Sequence, residues 1–254
     1  MRSVLKAAFR AAGFEIRRVA DDFVLPVEFT KREVEIFDYV WNNRLTMELK
    51  TGLTAAMLAA KHAVEADIPG DWVECGVWRG GVSLAAKLIF EEHRSAKSAW
   101  LFDTFAGMTE PGEHDRPKFE KYDTQNTFEQ QQREDYNEWC HASVEDVRKN
   151  FERAGADLNG VHLVKGDVAE TLADAANLPQ QICVLRLDTD FYKGTRTELE
   201  ILYPRLSLGG PILIGDVGYW EGVKRAVDEY FVDPRTRPLL YYTDLSDRMG
   251  VKVS

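Results

Sequence analysis

The chain has 254 residues, 44% of them hydrophobic, and 42 Asp and Glu against 32 Lys and Arg, for a net charge of −10. That length buries a large core as one domain, or as one domain with an appendage. The acidic balance argues against nucleic acid as a partner. Cys75, Cys140 and Cys183 are odd in number and widely separated; they read as thiols in a reducing, cytoplasmic setting, not as a disulfide frame or a zinc site. No apolar run reaches the roughly eighteen residues of a membrane span, and no signal peptide is evident.

In residues 1–20, Val4, Leu5, Ala8, Phe9 and Ala12 fall at helical spacing among Arg2, Lys6, Arg10, Arg17 and Arg18. This pattern predicts a short basic amphipathic helix. The favoured reading packs it on its own domain or on a dimer mate; the other rests it on an anionic membrane surface, as a peripheral contact. Residues 31–66 predict two helices, the second over Leu49–Ala66, ended by Pro69-Gly70. Strands are then expected at 71–76, 98–103, 161–165, 182–188 and 210–216. They alternate with helices near 79–92, 143–154, 193–206 and 219–231. Two last strands, near 238–243 and 248–253, flank the turn Asp244–Asp247. Alternating βα units imply a parallel sheet, and the closing hairpin adds an antiparallel strand. The chain divides into an N-terminal helical part, 1–66, and an α/β, Rossmann-like domain, 67–254. Residues 104–145 break the rhythm: they are long, polar and dotted with Phe105, Phe119, Tyr122, Phe128, Tyr136 and Trp139. Such an insertion reads as a lid or substrate wall.

Two strand ends point to a nucleoside-containing cofactor. The run Asp71-Trp-Val-Glu-Cys-Gly-Val-Trp-Arg-Gly-Gly81 is strand, glycine turn, helix, the place where open α/β sheets bind such ligands. Its spacing is not G-x-G-x-x-G, which argues against NAD. Glu74 before the turn suits the ammonium of S-adenosylmethionine. Asp103, at the tip of the next strand, is placed to accept two ribose hydroxyls. Farther on, Val184-Leu-Arg-Leu-Asp188-Thr-Asp190 brings two carboxylates to a strand tip, and Asp216 closes the following strand. Three carboxylates at one sheet edge repel unless they share a proton or a cation, and hard oxygen ligands suit Mg²⁺ or Ca²⁺.

From about Thr46 to Tyr230 the chain resembles the macrocin O-methyltransferase family of bacterial sugar methyltransferases. The resemblance rests on Ile68-Pro-Gly-Asp-Trp-Val-Glu-Cys-Gly-Val-Trp-Arg-Gly-Gly81, Phe102-Asp-Thr-Phe-Ala-Gly-Met108, Leu187-Asp-Thr-Asp-Phe-Tyr192, Leu202-Tyr-Pro-Arg-Leu-Ser-Leu-Gly-Gly210 and Trp220-Glu-Gly222. It implies a class I methyltransferase sheet, S-adenosylmethionine as cofactor, a sugar hydroxyl as acceptor and a homodimer. It implies Glu74, Gly76 and Gly80 at the methionine end of the cofactor, Asp103 at the ribose, Asp167 at the adenine amine, and Met47 on the cofactor-covering segment. It makes Asp188 and Asp216 metal ligands and Asp190 the general base. One departure stands out. The family's Asp-Asp-Tyr-Gly is Gly215-Asp216-Val217-Gly218 in this chain; one carboxylate ligand is missing, and a water takes its place on any Mg²⁺.

Two rival readings follow from the same residues. One is a catalytically inactive S-adenosylmethionine-binding partner protein, suggested by Gly215. The other is an NAD-dependent sugar-nucleotide oxidoreductase, which would want a tighter glycine motif and a Tyr-x-x-x-Lys pair.

Overall fold

The computed structural model describes residues 23–119 and 123–253. The basic stretch 1–20, with its membrane and dimer readings, lies outside them, as does Tyr122. Among the described residues no helix is long and apolar enough to cross a membrane.

Seven strands form one sheet in the order β3-β2-β1-β4-β5-β7-β6. They are β1 (Asp71–Cys75), β2 (Ala99–Asp103), β3 (Val161–Lys165), β4 (Ile182–Leu187), β5 (Pro211–Ile214), β6 (Tyr241–Tyr242) and β7 (Arg248–Val251). The first five run parallel, and β7 pairs antiparallel with β5. This is the expected architecture. The central strands read as continuous apolar runs because helices cover both faces. All six residues of β4 are buried, whereas β3 at the sheet edge is half exposed.

On one face lie α1 (Lys31–Asn42), α2 (Lys50–Glu65), α3 (Gly81–Glu92) and α5 (Val144–Ala154); α4 (Thr124–Gln131) sits in the insertion, while α6 (Val168–Thr171), α7 (Tyr192–Leu202) and α8 (Glu221–Tyr230) serve the other face. Leu53, Met57 and Ala60 of α2 share a core with Trp72 of β1 and Leu101 of β2. Start signals are local: Thr30 with Glu33, and Ser143 with Asp146, each close a capping box, which satisfies two amide donors left over at a helix start. Boundaries differ from expectation where turn chemistry intervenes. The helix expected over 193–206 ends at Leu202, and Pro204 sits in a 3₁₀ turn. The strand expected over 238–243 shrinks to Tyr241–Tyr242.

The described part of the insertion is sewn to the sheet edge. Asp115, 3% exposed, accepts from Tyr192 N at 2.8 Å and Gly112 N at 2.7 Å. Lys118 N donates to Tyr219 O at 2.9 Å, and Glu221 N to Arg116 O at 3.0 Å. Asn137, also buried, holds Trp139 N and Phe128 O. Its aromatics divide accordingly: Phe105 is buried, while Phe119 and Tyr136 are exposed.

The α1–α2 pair positions the segment 46–49 that roofs the sheet edge. Its lock is Glu33, fully buried, which accepts from Lys61 Nζ at 2.8 Å and Thr30 N at 2.7 Å. Lys61 Nζ also reaches Glu28 O at 2.8 Å. Removing one partner of a buried pair strands the other charge. Lys61→Met is therefore expected to lower unfolding stability by about 3 kcal/mol, read from urea unfolding. Adding Glu33→Gln should recover part of the loss; a single variant as stable as the parent would remove this lock from the account.

Candidate active site at the sheet edge

The strand order reverses between β1 and β4, and a cavity of about 840 Å³ opens at their carboxyl ends. This switch point is where open α/β sheets take ligands. Met47, Glu74, Gly76, Asp103, Asp167, Asp188, Asp190 and Asp216 all line it. Gly80 does not. It caps α3 in a left-handed conformation, and a Cβ there would stand 2.8 Å from Val147 Cγ1 of α5. Its role is close packing between helices.

Gly76 is needed at the turn itself. Its φ is +78°, and a Cβ would overlap the carbonyl oxygen of Asp188, so only glycine lets β1 and β4 approach this closely. Asp103 fastens the same turn. Its Oδ2 accepts from Val77 N at 2.8 Å and Trp78 N at 3.1 Å, and its Oδ1 from Phe105 N at 2.7 Å. Burial outweighs these donors and pushes its pKa up. A carboxylate has about four acceptor positions; three amides take three of them, so Asp103 is first a staple for the turn and keeps one position open for a ribose hydroxyl. Asp167 Oδ1 accepts from Ala169 N at 2.8 Å as the cap of α6, and its Oδ2 lies 3.4 Å from Lys193 Nζ.

The centre of the site is a residue that the motif reading passed over. Arg186, inside buried β4, donates to Glu74 Oε1 at 2.6 Å, to Asp188 Oδ2 at 2.7 Å and to Glu48 Oε1. Glu74 also receives the Ser83 hydroxyl, which in turn accepts from Trp72 Nε1 at 2.9 Å. One cation thus faces three carboxylates. Burial raises the pKa of Glu74 to about 7, against the pull of Arg186 and Ser83, and raises Glu48 as well. A lone arginine in an all-apolar parallel strand was a usable signal, since a buried guanidinium requires partners. Glu48 carried none.

A second acidic group lies at the β4 and β5 tips. Asp190 and Asp216 both adopt left-handed backbone, with φ of 66° and 61°, and their carboxyls share a hydrogen bond. Asp190 Oδ1 accepts from Trp220 Nε1 at 3.2 Å, and Asp216 Oδ1 from Ser246 Oγ at 2.6 Å. Burial and the charge of Asp188 raise the pKa of Asp190 to about 6, opposed by the Asp216 and Trp220 donors. Burial and both neighbouring aspartates push Asp216 well above the carboxylate range. Asp247, expected only as part of a turn, accepts from Asp216 N at 3.2 Å, and burial with Glu48 and Asp188 raises its pKa to about 9.

Such a site attracts a cation, because each of these acids stays charged only with a partner. Asp188 and Asp216 line the cavity with hard carboxylate oxygens, the ligand type that Mg²⁺ takes. Gly215 shapes that lining: a Cβ there would overlap Asp188 Oδ1, so the Asp188 carboxylate folds over the space of the missing ligand and leans on Arg186. Among the described residues, the one group of three acids whose oxygens all lie within 4.8 Å of one another is Glu48, Asp244 and Asp247, and it includes neither Asp188 nor Asp216. Beside Asp190, the rings of Trp139, Phe191 and Trp220 pack at 5.4 to 6.2 Å, and Tyr192 meets His114 edge-on at 5.1 Å at the rim.

Comparison with known proteins places this geometry. The family described as macrocin O-methyltransferase (TylF) matches residues 37–239. An 8-demethyl-8-(2,3-dimethoxy-alpha-L-rhamnosyl)-tetracenomycin-C 4'-O-methyltransferase of Streptomyces olivaceus is 35% identical over 164 residues, 64% of this chain and 58% of that protein. A demethyldecarbamoylnovobiocin O-methyltransferase of Streptomyces niveus is 33% identical over 165 residues, 65% of this chain and 59% of that one. The match therefore spans about three-fifths of these relatives' length. The structure of the O-methyltransferase NovP superposes with a TM-score of 0.71 at 28% identity, covering 82% of each chain. The chain belongs to the macrocin O-methyltransferase family.

Proposed function

We propose that this protein transfers a methyl group from S-adenosylmethionine to a hydroxyl of a sugar-bearing acceptor. The observation that carries the reading is Asp190: a half-buried carboxyl in the cavity, beside the glycine turn, with its pKa raised to about 6 and a proton-sharing partner in Asp216. The family and the names of its sugar-modifying relatives support the same chemistry. Support for the homodimer is the family resemblance, and for a cytoplasmic location the separated thiols and acidic charge.

The sulfonium of the cofactor supplies an electrophilic methyl group. Glu74, Gly76, Asp103, Asp167 and Met47 would hold it along the edge of β1, β2 and β3. In-line placement of the acceptor oxygen gives most of the rate advantage. Asp190, ionised, would take the hydroxyl proton as the acceptor oxygen gains the methyl carbon and the carbon–sulfur bond breaks, with S-adenosylhomocysteine as the leaving group; Trp220 Nε1 holds its Oδ1, and Asp216 shares a hydrogen bond with the same carboxyl. Asp188 and Asp216 would hold Mg²⁺, whose positive charge lowers the cost of developing negative charge on the acceptor oxygen.

The direct test is transfer of labelled methyl to demethyldecarbamoylnovobiocin, to mycinamicin III and to the rhamnosyl tetracenomycin, acceptors taken from the relatives' names. Asp190→Asn should keep S-adenosylhomocysteine affinity and lower turnover by about a hundredfold or more. Turnover near the parent's would move the base elsewhere. Tight S-adenosylhomocysteine binding with no transfer to any glycoside would favour the inactive-partner reading, and NAD binding in its place the oxidoreductase.

The pH profile follows from the same group. Asp190 must be ionised to accept a proton, so turnover is full above its folded pKa and falls as pH is lowered through about 6. A bound cation, which favours the ionised form, should move that limb to lower pH. A rate flat down to pH 5 without added metal would contradict this assignment.

The Gly215 departure gives a metal prediction. Gly215→Asp must displace the Asp188 carboxylate from its position over the glycine. The added ligand is expected to tighten Mg²⁺ binding by about tenfold, roughly 1.4 kcal/mol, read from activity against Mg²⁺ with EDTA as control. Full parental activity in EDTA, with no Mg²⁺ response in Gly215→Asp, would mark a metal-independent enzyme.

A further inference from the structure

The loop Asp188-Thr189-Asp190 is short, and its last residue is in left-handed backbone with φ of 66°. Such a conformation persists only where surrounding contacts over-determine it. Asp188 N is held by Cys75 O at 2.9 Å, and Phe191 N by Thr189 O at 2.8 Å. Thr189, between the two aspartates, also lines the cavity. Its side chain is held from the other direction: Thr189 Oγ1 donates to Glu198 Oε1 at 2.8 Å.

Glu198 is an unexpected residue for its place. It lies on α7 among Leu199, Leu202 and Thr195, fully buried, and its Oε2 has no partner. A buried polar group without a full set of partners costs stability, so some gain elsewhere must justify it. Gly194, one turn earlier on the same face, points to that gain. A Cβ at 194 would overlap Thr189 Oγ1; residues four apart share a helix face, so Gly194 clears the space and Glu198 closes it. Two residues of α7 that are poor choices for a packed helix together form a seat for one hydroxyl. Burial raises the Glu198 pKa to about 8, helped by the charges of Asp188 and Asp167, which makes glutamine a close mimic of its neutral form.

We propose that Glu198 is a positioning residue which, through Thr189, holds the backbone at Asp190 in the conformation that presents its carboxylate to the acceptor hydroxyl. This rests on the reading of Asp190 as the base. Glu198 is not among the residues that line the cavity, so its effect should appear in turnover and not in cofactor binding.

The test uses Glu198→Gln, Glu198→Leu, Thr189→Val and the Leu/Val double variant, with Asp190→Asn measured alongside, in the full chain and with the glycoside acceptors above. Glu198→Gln should stay within about threefold of the parent's kcat. Glu198→Leu fills the same volume without an acceptor, and should lower kcat about tenfold to a hundredfold, the scale of a small misplacement of a reacting group, with KM for S-adenosylmethionine within twofold. Thr189→Val should match it, and the double variant should be no worse than either single change. Parental kcat in folded Glu198→Leu, an equal loss in Gln and Leu, or additive losses in the double variant would overturn the proposal. If Asp190→Asn loses turnover while Glu198→Leu does not, positioning fails and the base stands; if Asp190→Asn is active, the base itself fails. A crystal structure of Glu198→Leu decides without any acceptor. The expected result is Asp190 leaving its left-handed conformation or losing the Trp220 bond; an unchanged loop overturns the proposal.

Discussion

Everything at this sheet edge is arranged around one buried guanidinium. Arg186 stands in the middle of a parallel sheet, where a cation is tolerated only if fully paired, and its partners come from three parts of the chain: Glu48 from the roof segment, Glu74 from β1 and Asp188 from the tip of its own strand. The pairing thereby joins the cofactor turn, the covering segment and the strand bearing Asp190. Three carboxylates exceed one cation, and burial together with this surplus of negative charge raises the pKa of Glu74 to about 7 and of the outlying Asp247 to about 9, and pushes Asp216 up as well. An incoming cationic ligand can displace protons from these groups with little rearrangement of the acids themselves.

Around this hub the remaining elements act as spacers of fixed length. Gly76 sets how near β1 comes to β4. Asp103 ties the turn after β1 to the turn after β2. The α1–α2 lock through Glu33 and Lys61 holds the roof where Glu48 can reach Arg186. The relation is one of geometry more than of strength: each contact is ordinary, and together they fix where the Asp190 carboxyl faces the cavity.

Much of this was legible in the sequence. The strand ends at Glu74, Asp103, Asp188 and Asp216 announced which edge carries the site, because parallel strands deliver their tips to one side. The order of β and α elements foretold the sheet, and the helices expected from 31 and from 143 begin at Lys31 and Val144. What stayed hidden were partners far apart in the chain. Glu48 and Arg186 are 138 residues apart. Asp247 looked like a turn residue and is one, yet it also receives Asp216 N. Gly80 looked like a ligand-side glycine, and the helix that packs on it could not be foreseen from a local motif. Asp103 showed its strand-end position but not the three backbone amides that claim it.

The insertion between β2 and α5 is attached largely through backbone groups, Lys118 N to Tyr219 O, Glu221 N to Arg116 O and Tyr192 N to the carboxylate of Asp115, while Met108 N to Trp139 O closes it on itself. Backbone seams are indifferent to most side chains along them. The cavity wall built by the insertion is thus free to change its chemistry, by point substitution or by a change of length between the seams, while the edge of the sheet keeps its dimensions. Variation of the cavity wall over a constant sheet edge is what such an attachment permits, and it makes residues 109–114, not the strand tips, the part of the cavity lining whose side chains can change with least effect on the sheet.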